Sequence, residues 1–296
     1  MQEQAHKAGF VNIIGNPNVG KSTLMNAFIG ERLSIITNKA QTTRHRILGI
    51  VNGDHFQVIF SDTPGIIKPA YELQTQMMEF VKSAFEDADV LLYMVELGET
   101  TVKDEAFLQK IQQSKIPVLL LLNKIDKGDE AKLQEALRHW QEQVPNAEIF
   151  AISALENFGV TEVFQRIVEL LPASPAFYPK DQLTDKPERF FVNEAIREQI
   201  LLQYKKEIPY SVEIETEEFH EDEDIIRIRS IIMVERESQK GIIIGHKGQS
   251  LKWVGIEARK DLEKFFGKQI YLELYVKVNK NWRNDPNQLK RFGYQN

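Results

Sequence analysis

Eight consecutive residues, Gly15-Asn16-Pro17-Asn18-Val19-Gly20-Lys21-Ser22, satisfy every fixed position of the pattern G-x-x-x-x-G-K-[ST], and the chemistry of such a loop is to hold phosphate. Its glycines let backbone N–H groups turn inward on phosphate oxygens, and the helix that follows adds the positive end of its dipole. Lys21 brings a point charge to the outer phosphates, Ser22 offers a hydroxyl to Mg2+, and Thr23 continues the first helical turn. The setting fits the pattern. Gly9 to Ile14 is a short apolar run suited to a buried strand, and Ser22 to Ile29 has helical periodicity.

Two further polar clusters follow apolar strand candidates. Asp62-Thr63-Pro64-Gly65 comes about 40 residues after the phosphate loop, at the end of Phe56 to Phe60. Asp62 there suits a second, Mg2+-linked carboxylate, and Gly65 is free to turn its N–H toward a terminal phosphate. Asn123-Lys124-Ile125-Asp126 closes the run Val118 to Leu122. A carboxylate at Asp126 can accept hydrogen bonds from N1–H and the N2 amino group of guanine, a donor pair adenine lacks, so guanine is selected. Asn123 is expected to tie this loop to the phosphate loop, and the Lys124 stem to cover one face of the base. Ser153-Ala154, after the next strand, could present a backbone N–H to guanine O6.

Four motifs in this order resemble the translation-factor-like P-loop GTPases, over about residues 8 to 171. The resemblance implies GTP hydrolysis with Mg2+. It also implies a threonine after the first helix that binds the metal and senses the γ-phosphate: Thr43 in Gln41-Thr42-Thr43-Arg44 is favoured, with Thr42 second. Many of these GTPases orient water with a glutamine directly after D-x-x-G, where this chain has Ile66. Beside Lys21, Thr43 and Gly65, catalysis must then come from elsewhere: a monovalent cation, a partner, or another side chain. Asn18 resembles the asparagine that ligates K+ in some relatives lacking that glutamine, and it equally suits a turn.

The second half has a different signal. Ile242-Ile243-Ile244-Gly245-His246-Lys247-Gly248 contains G-x-x-G with a basic centre, preceded by an apolar segment and followed by the helical pattern Ser250 to Phe266 and a strand, Gln269 to Val278. The order helix, strand, strand, helix, G-x-x-G, helix, strand resembles a type II KH domain, whose loop clamps about four single-stranded nucleotides. On that resemblance His246 and Lys247 with Gly245 and Gly248 face phosphates, Ile243 and Ile244 floor the groove, and Arg236 and Lys240, with Lys252 and Arg259, extend a basic rim. Trp282 could stack on a base or pack at the domain edge.

The elements that must position these residues alternate regularly. A threonine-rich loop, Glu31 to Arg46, leads to strand candidates Ile47 to Val51 and Phe56 to Phe60, joined antiparallel across Asn52-Gly53-Asp54. A helix is expected over Tyr71 to Phe85. Strands Val90 to Val95, Val118 to Leu122 and Ile149 to Ile152 then alternate with helices Lys103 to Gln113, Asp129 to Gln143 and Thr161 to Leu171. This is the pattern of an α/β, doubly wound, mostly parallel sheet with its ligand crevice at the carboxyl ends of the strands. Prolines 172, 175, 179 and 187 mark a connector. The expectation is a GTPase domain over 1–175, a linker over 176–187 and an α+β KH domain over 188–296, opening with a helix over Glu188 to Lys206 and strands Ser211 to Phe219 and Ile225 to Val234 around an acidic turn, His220 to Asp224.

Composition bounds the rest. There are 296 residues and no cysteine, which excludes disulfides and thiol chemistry and makes a reduced cytoplasm the default. No secretory leader or membrane-spanning run is legible. The net charge of −6 argues against nucleic acid, but residues 225–296 hold 15 basic and 7 acidic side chains. Gln41 to Arg46, Val234 to Glu237 and Gly255 to Lys260 add to a near full-length resemblance to the bacterial GTPases of small-subunit ribosome assembly. That resemblance implies a GTP-controlled switch binding the 3′ end of 16S rRNA, cytoplasmic, with peripheral association at the inner membrane allowed. A constitutive RNA scaffold with secondary hydrolysis and a membrane-associated signalling GTPase are the alternatives.

Overall fold

In this computed structural model, which describes residues 5–100 and 105–295, the runs Val90–Glu96 (β4) and Val118–Asn123 (β5) are apolar almost throughout and buried along nearly their whole length. Strands of that kind belong inside a parallel sheet covered on both faces. They lie at the centre of six strands in the order β2-β3-β1-β4-β5-β6, with β1 Lys7–Gly15, β2 Ile47–Asn52, β3 Phe56–Asp62 and β6 Glu148–Ala151. All pairs are parallel except β2 with β3, the hairpin that Asn52-Gly53-Asp54 announces. Helices α1 Lys21–Ile29, α2 Glu72–Glu86, α3 Glu105–Gln112, α4 Glu130–Gln143 and α5 Val160–Leu170 supply the crossovers. The predicted start of α3 at Lys103 lies outside the described residues.

Parallel pairing brings the functional loops together. β1 is flanked by β3 and β4, so it sits where the strand order reverses, and Ile13 pairs with Asp62 while Gly15 pairs with Met94 and Glu96 with Asn123. The phosphate loop, Asp62 and Asn123 therefore emerge at one edge of the sheet.

Two compact units divide the chain, residues 1–70 with 74–185 and residues 71–73 with 186–296. Much of the proline-bearing connector is not a free tether. It runs along the β2 edge of the first unit: the Ile50 amide donates to Leu183 O at 2.8 Å, Thr184 Oγ1 to Leu48 O at 2.7 Å, and the Leu48 amide to Asp185 Oδ1 at 2.9 Å. Buried Gln57 accepts the amides of Phe177 and Tyr178 and donates to Tyr178 O. An edge strand that would otherwise present unpaired backbone groups is thereby covered.

The second unit pairs β7 Glu213–Glu221 antiparallel and β9 Gln269–Val278 parallel with a central β8 Ile225–Val234. Helices α6 Glu188–Gln203 and α8 Gln249–Phe266 pack on one face over a core of Ile196, Ile200, Ile228, Ile232, Val254 and Leu262. Helix α6 stops three residues short of the expected Lys206, because Tyr204 is extended and Lys206 has φ 56°. β7 runs through His220 and Glu221, so the acidic turn shrinks to residues 222–224. The apolar run before G-x-x-G is the helix α7, Glu237–Ile244. A short helix α9, Pro286–Arg291, has no counterpart in the sequence reading.

Trp282 is fully buried, its indole N–H donating to Ser211 O at 3.2 Å and its ring edge-on to Phe292 at 5.9 Å. Of its two readings the structure selects packing, since a ring with no exposed surface cannot stack on a base. Trp282→Ala is expected to cost ~3–5 kcal/mol in the second unit, as for other buried tryptophans. Denaturant unfolding followed by circular dichroism, with GDP affinity unchanged, is the check.

Candidate functional site

The phosphate loop leaves β1 at Gly15 and turns through Asn18 (φ 66°) and Gly20 (φ 108°) into α1. Lys21 is buried under its own loop, its Nζ donating to the carbonyls of Gly15 at 3.1 Å and Asn16 at 2.9 Å. Burial lowers its pKa to about 8, against the opposing charges of Asp62 and Glu99.

Asp62, Ser22 and Thr43 form a single cluster. Asp62 Oδ2 accepts from Ser22 Oγ at 2.7 Å and from Thr43 Oγ1 at 3.3 Å, and the two hydroxyls lie 3.0 Å apart. Burial raises the Asp62 pKa, against the Ser22 hydrogen bond and the Lys21 charge. Thr42 lines the same cavity, but its hydroxyl donates to Lys39 O at 2.7 Å and meets Thr37 Oγ1. Of the two candidate threonines only Thr43 joins the carboxylate.

The donor set can be tested for a cation. Asp62 Oδ1 is buried and has no hydrogen-bond partner, and among the described residues no group of three or more His, Cys, Asp or Glu is assembled. One carboxylate and two hydroxyls leave most of an oxygen shell to phosphate and water, which fits Mg2+ and not a cation requiring an all-protein cage.

Gly65 sits directly over the loop. A Cβ there would meet Pro17 backbone atoms at 2.7 Å, so the close approach requires glycine. The next amide, of Ile66, donates to Gly15 O at 3.1 Å, while the Ile66 side chain is buried against Ile14, Val81 and Leu91. Ile66 is thus core, and has no access to a reacting water.

On the base side, Asn123 Nδ2 donates to Val19 O at 2.7 Å, the expected tie between loops. Lys124 Nζ donates to Asn18 O and to Glu96 Oε2, both at 2.6 Å, and Ser153 Oγ to Asp126 Oδ1 at 2.6 Å. One expectation needs correction. The Ser153 amide donates to Phe158 O and the Ala154 amide to Asn123 Oδ1, so neither points unshared at a base. The tight turn between Ser153 and Phe158, bridged in both directions, draws those amides into the protein.

A cavity of about 330 Å3 joins these groups, lined on the phosphate side by Pro17, Gly20 to Thr23, Thr43 and Gly65 and on the base side by Asn123, Lys124, Asp126, Ser153 and Leu155. Ala154 is not in that lining. Not expected from sequence were Glu96, the last residue of β4, and Glu99 in the turn after it, which contact Lys124 and Asn16 respectively. Their one available signal was position, at the carboxyl end of a central strand.

In the second unit Gly245 has φ 70°, and a Cβ there would lie 2.2 Å from Ser250 Oγ, so only glycine allows the sharp exit from α7. His246 and Lys247 stand exposed at the tip. Ile243, expected on a groove floor, is instead fully buried in the core, its carbonyl accepting from Tyr204 Oη at 2.7 Å, because α7 turns that side chain inward. Ile244 is half-buried against the same core. The surface groove lies between α8 and β9, lined by Gly248, Leu251, Lys252, Gly255, Ile256, Arg259, Leu272 and Leu274. Two expected rim residues, Lys252 and Arg259, are on it. Arg236 lines a separate hollow with Lys280 and Asn281, and Lys240 is half-buried on α7.

Sheet, loops and α8–β9 groove define a P-loop GTPase domain joined to a KH domain. The "50S ribosome-binding GTPase" family matches residues 10–124 and the "KH domain" family residues 207–283. GTPase Era of Syntrophus aciditrophicus is 46% identical over 291 residues, 97% of this chain and 95% of that one, and GTPase Era of Thermoanaerobacter sp. (strain X514) is 44% identical over 292 residues, 98% and 97%. A crystal structure of Era in complex with MgGDPNP and nucleotides 1506–1542 of 16S ribosomal RNA matches with TM-score 0.94 at 38% identity, covering 98% of this chain and 100% of that one. Aquifex aeolicus Era bound to GDP.AlF4- matches with TM-score 0.93 at 39% identity, with the same coverage. This chain belongs to the GTPase Era family and is a GTPase.

The base reading has a direct test. Asp126→Asn removes the charge that pairs with guanine N1–H and N2 and supplies an amide donor instead. GTP affinity is expected to fall ~100-fold, the cost of an unpaired buried donor pair, with xanthosine triphosphate becoming the better ligand. Fluorescence titration of both nucleotides is the check.

Proposed function

We propose that the chain is a GTP-hydrolysing switch whose KH unit binds single-stranded RNA at the 3′ end of 16S ribosomal RNA during small-subunit assembly. The observation that carries the switch is the Ser22–Thr43–Asp62 cluster, which draws the threonine-rich loop after α1 onto the phosphate loop and β3. In this reading Ser22, Thr43 and Asp62 hold Mg2+, Lys21 and the amides of Gly15 to Thr23 hold the phosphates, and the Gly65 amide meets the γ-phosphate. Asp126 selects guanine, with Asn123, Lys124 and Ser153 lining its pocket and the Ala154 amide holding Asn123 in place. A γ-phosphate with its metal orders the Thr43 loop, and hydrolysis releases it.

The RNA reading is supported by the exposed His246 and Lys247 between two glycines and by the adjoining apolar groove with Lys252 and Arg259 on it. The Era crystal structure that matches over the whole chain contains the 16S fragment. The domain limits 1–175 and 188–296 and a cytoplasmic location go with this reading; among the described residues no helix is long and apolar enough to cross a membrane. If nucleotide state controls the RNA site, affinity for a 3′-terminal 16S oligonucleotide differs between the GDP and GTP-analogue forms, and by linkage RNA tightens the analogue by the same factor. Fluorescence anisotropy in both states measures it, and equal affinities refute the coupling.

For hydrolysis, the buried Ile66 leaves the catalytic group to be supplied otherwise. Asn18 lies at the crest of the phosphate loop, its Nδ2 donating to Asn38 O at 3.0 Å in the loop that carries Thr43. In this reading Asn18 would help hold K+, which would supply positive charge beside the phosphates during hydrolysis. Turnover in KCl is expected to exceed turnover in equimolar NaCl by ~10-fold or more, the scale of one electrostatic contact, and Asn18→Ala to remove the difference.

A further inference from the structure

The turn after β4 carries no recognised motif, yet one of its carboxylates reaches the phosphate loop. Glu99 Oε1 accepts the side-chain amide of Asn16, a buried residue on the outer limb of that loop. Its other oxygen accepts the Glu96 amide at 3.0 Å, while the Glu99 amide donates back to Glu96 O at 2.9 Å. Glu99 is therefore held from two directions by the turn itself, and the turn is fixed to the rigid end of a central strand.

We propose that Glu99 is a positioning residue for nucleotide binding, bracing the Asn16 limb so that the amides between Gly15 and Gly20 stay converged on the phosphates. Convergent backbone donors bind an anion well only when they need not be gathered at the moment of binding. A carboxylate acceptor gives the Asn16 side-chain amide the stronger, charge-assisted form of hydrogen bond. The same carboxylate brings negative charge toward a site for anions. Two effects thus oppose each other, the brace and the repulsion, and a glutamine drops the charge while keeping one acceptor oxygen for Asn16, at the cost of the contact to the Glu96 amide.

The proposal rests on Gly15 to Ser22 being the nucleotide site. The unsubstituted chain's own affinity for GDP tests that site separately, since it does not involve Glu99. The experiment measures GDP and GTP-analogue dissociation constants and dissociation rates, with a fluorescent nucleotide and Mg2+, for E99A, E99Q, N16A and the double variant N16A/E99A. The expected result is a loss of about tenfold for E99A, about 1.4 kcal/mol, mainly through faster dissociation, with E99Q within about threefold of the unsubstituted chain. N16A should lose at least as much as E99A, and the double variant no more than N16A alone, because the contact between the two residues can be removed only once. Unchanged affinity in E99A, a loss in E99Q equal to that in E99A, or additive losses in the double variant would each overturn the proposal. Glu99 is half-buried in a surface turn, so E99A and E99Q should fold, and that pair alone decides the case if N16A does not.

Discussion

A single buried carboxylate sets the terms for the first unit. Asp62 ends β3 fully enclosed, one strand away from Ile13 of β1, with Lys21 beneath the adjacent loop. Ionised groups taken out of water are costly unless each finds a partner, and the fold supplies those partners from two segments of chain. Lys21 and Ser22 come from the start of α1, where the phosphate loop ends, and Thr43 from the loop before β2. The pKa shifts record the same balance: burial pushes Asp62 up and Lys21 down, and their mutual charge resists both. Few other arrangements of these residues would leave the carboxylate so nearly satisfied while keeping one oxygen for a cation.

Beyond that cluster the chain is held by several contacts. The loop carrying Thr43 is anchored just beyond it: Arg46 makes a two-pronged pair with Asp87 at 2.6 and 2.9 Å and donates to Ser61 Oγ at 2.7 Å, and His45 leans on the Phe80 ring. The β2 strand that follows is held from its outer edge by residues 183–185. Both anchors follow Thr43 in the chain, so the segment that carries it enters β2 from a held end.

The second unit solves a different problem, presenting a charged loop and an apolar groove on a small sheet. Its stability comes from behind: Arg197 pairs with Glu194 on α6, and Tyr294 donates to buried Glu213 at 2.8 Å. Trp282 fills the space under Ser211. With the core closed by residues from its own last turn, the α8–β9 surface is free to carry Leu251, Ile256 and Leu274 in a groove.

What the amino-acid sequence determined by itself was local or combinatorial. Glycine and lysine spacing announced the phosphate loop, Asp126 the base, Asn52-Gly53-Asp54 the hairpin, and the alternation of apolar runs with helices the doubly wound sheet, because each depends on neighbours within a few residues. Strand β9 was legible to the residue from its own hydrophobic pattern. What only the tertiary structure decided were choices between equivalent side chains: Thr43 over Thr42, packing over stacking for Trp282, core over groove for Ile243, and core for Ile66. Glu99 belongs with these, since nothing near it in sequence points to Asn16, 83 residues away. The physical reason is the same in every case. Residue type fixes what a side chain can do, but burial and the partner it meets depend on which strands lie in register, and that is settled only when the whole sheet has formed.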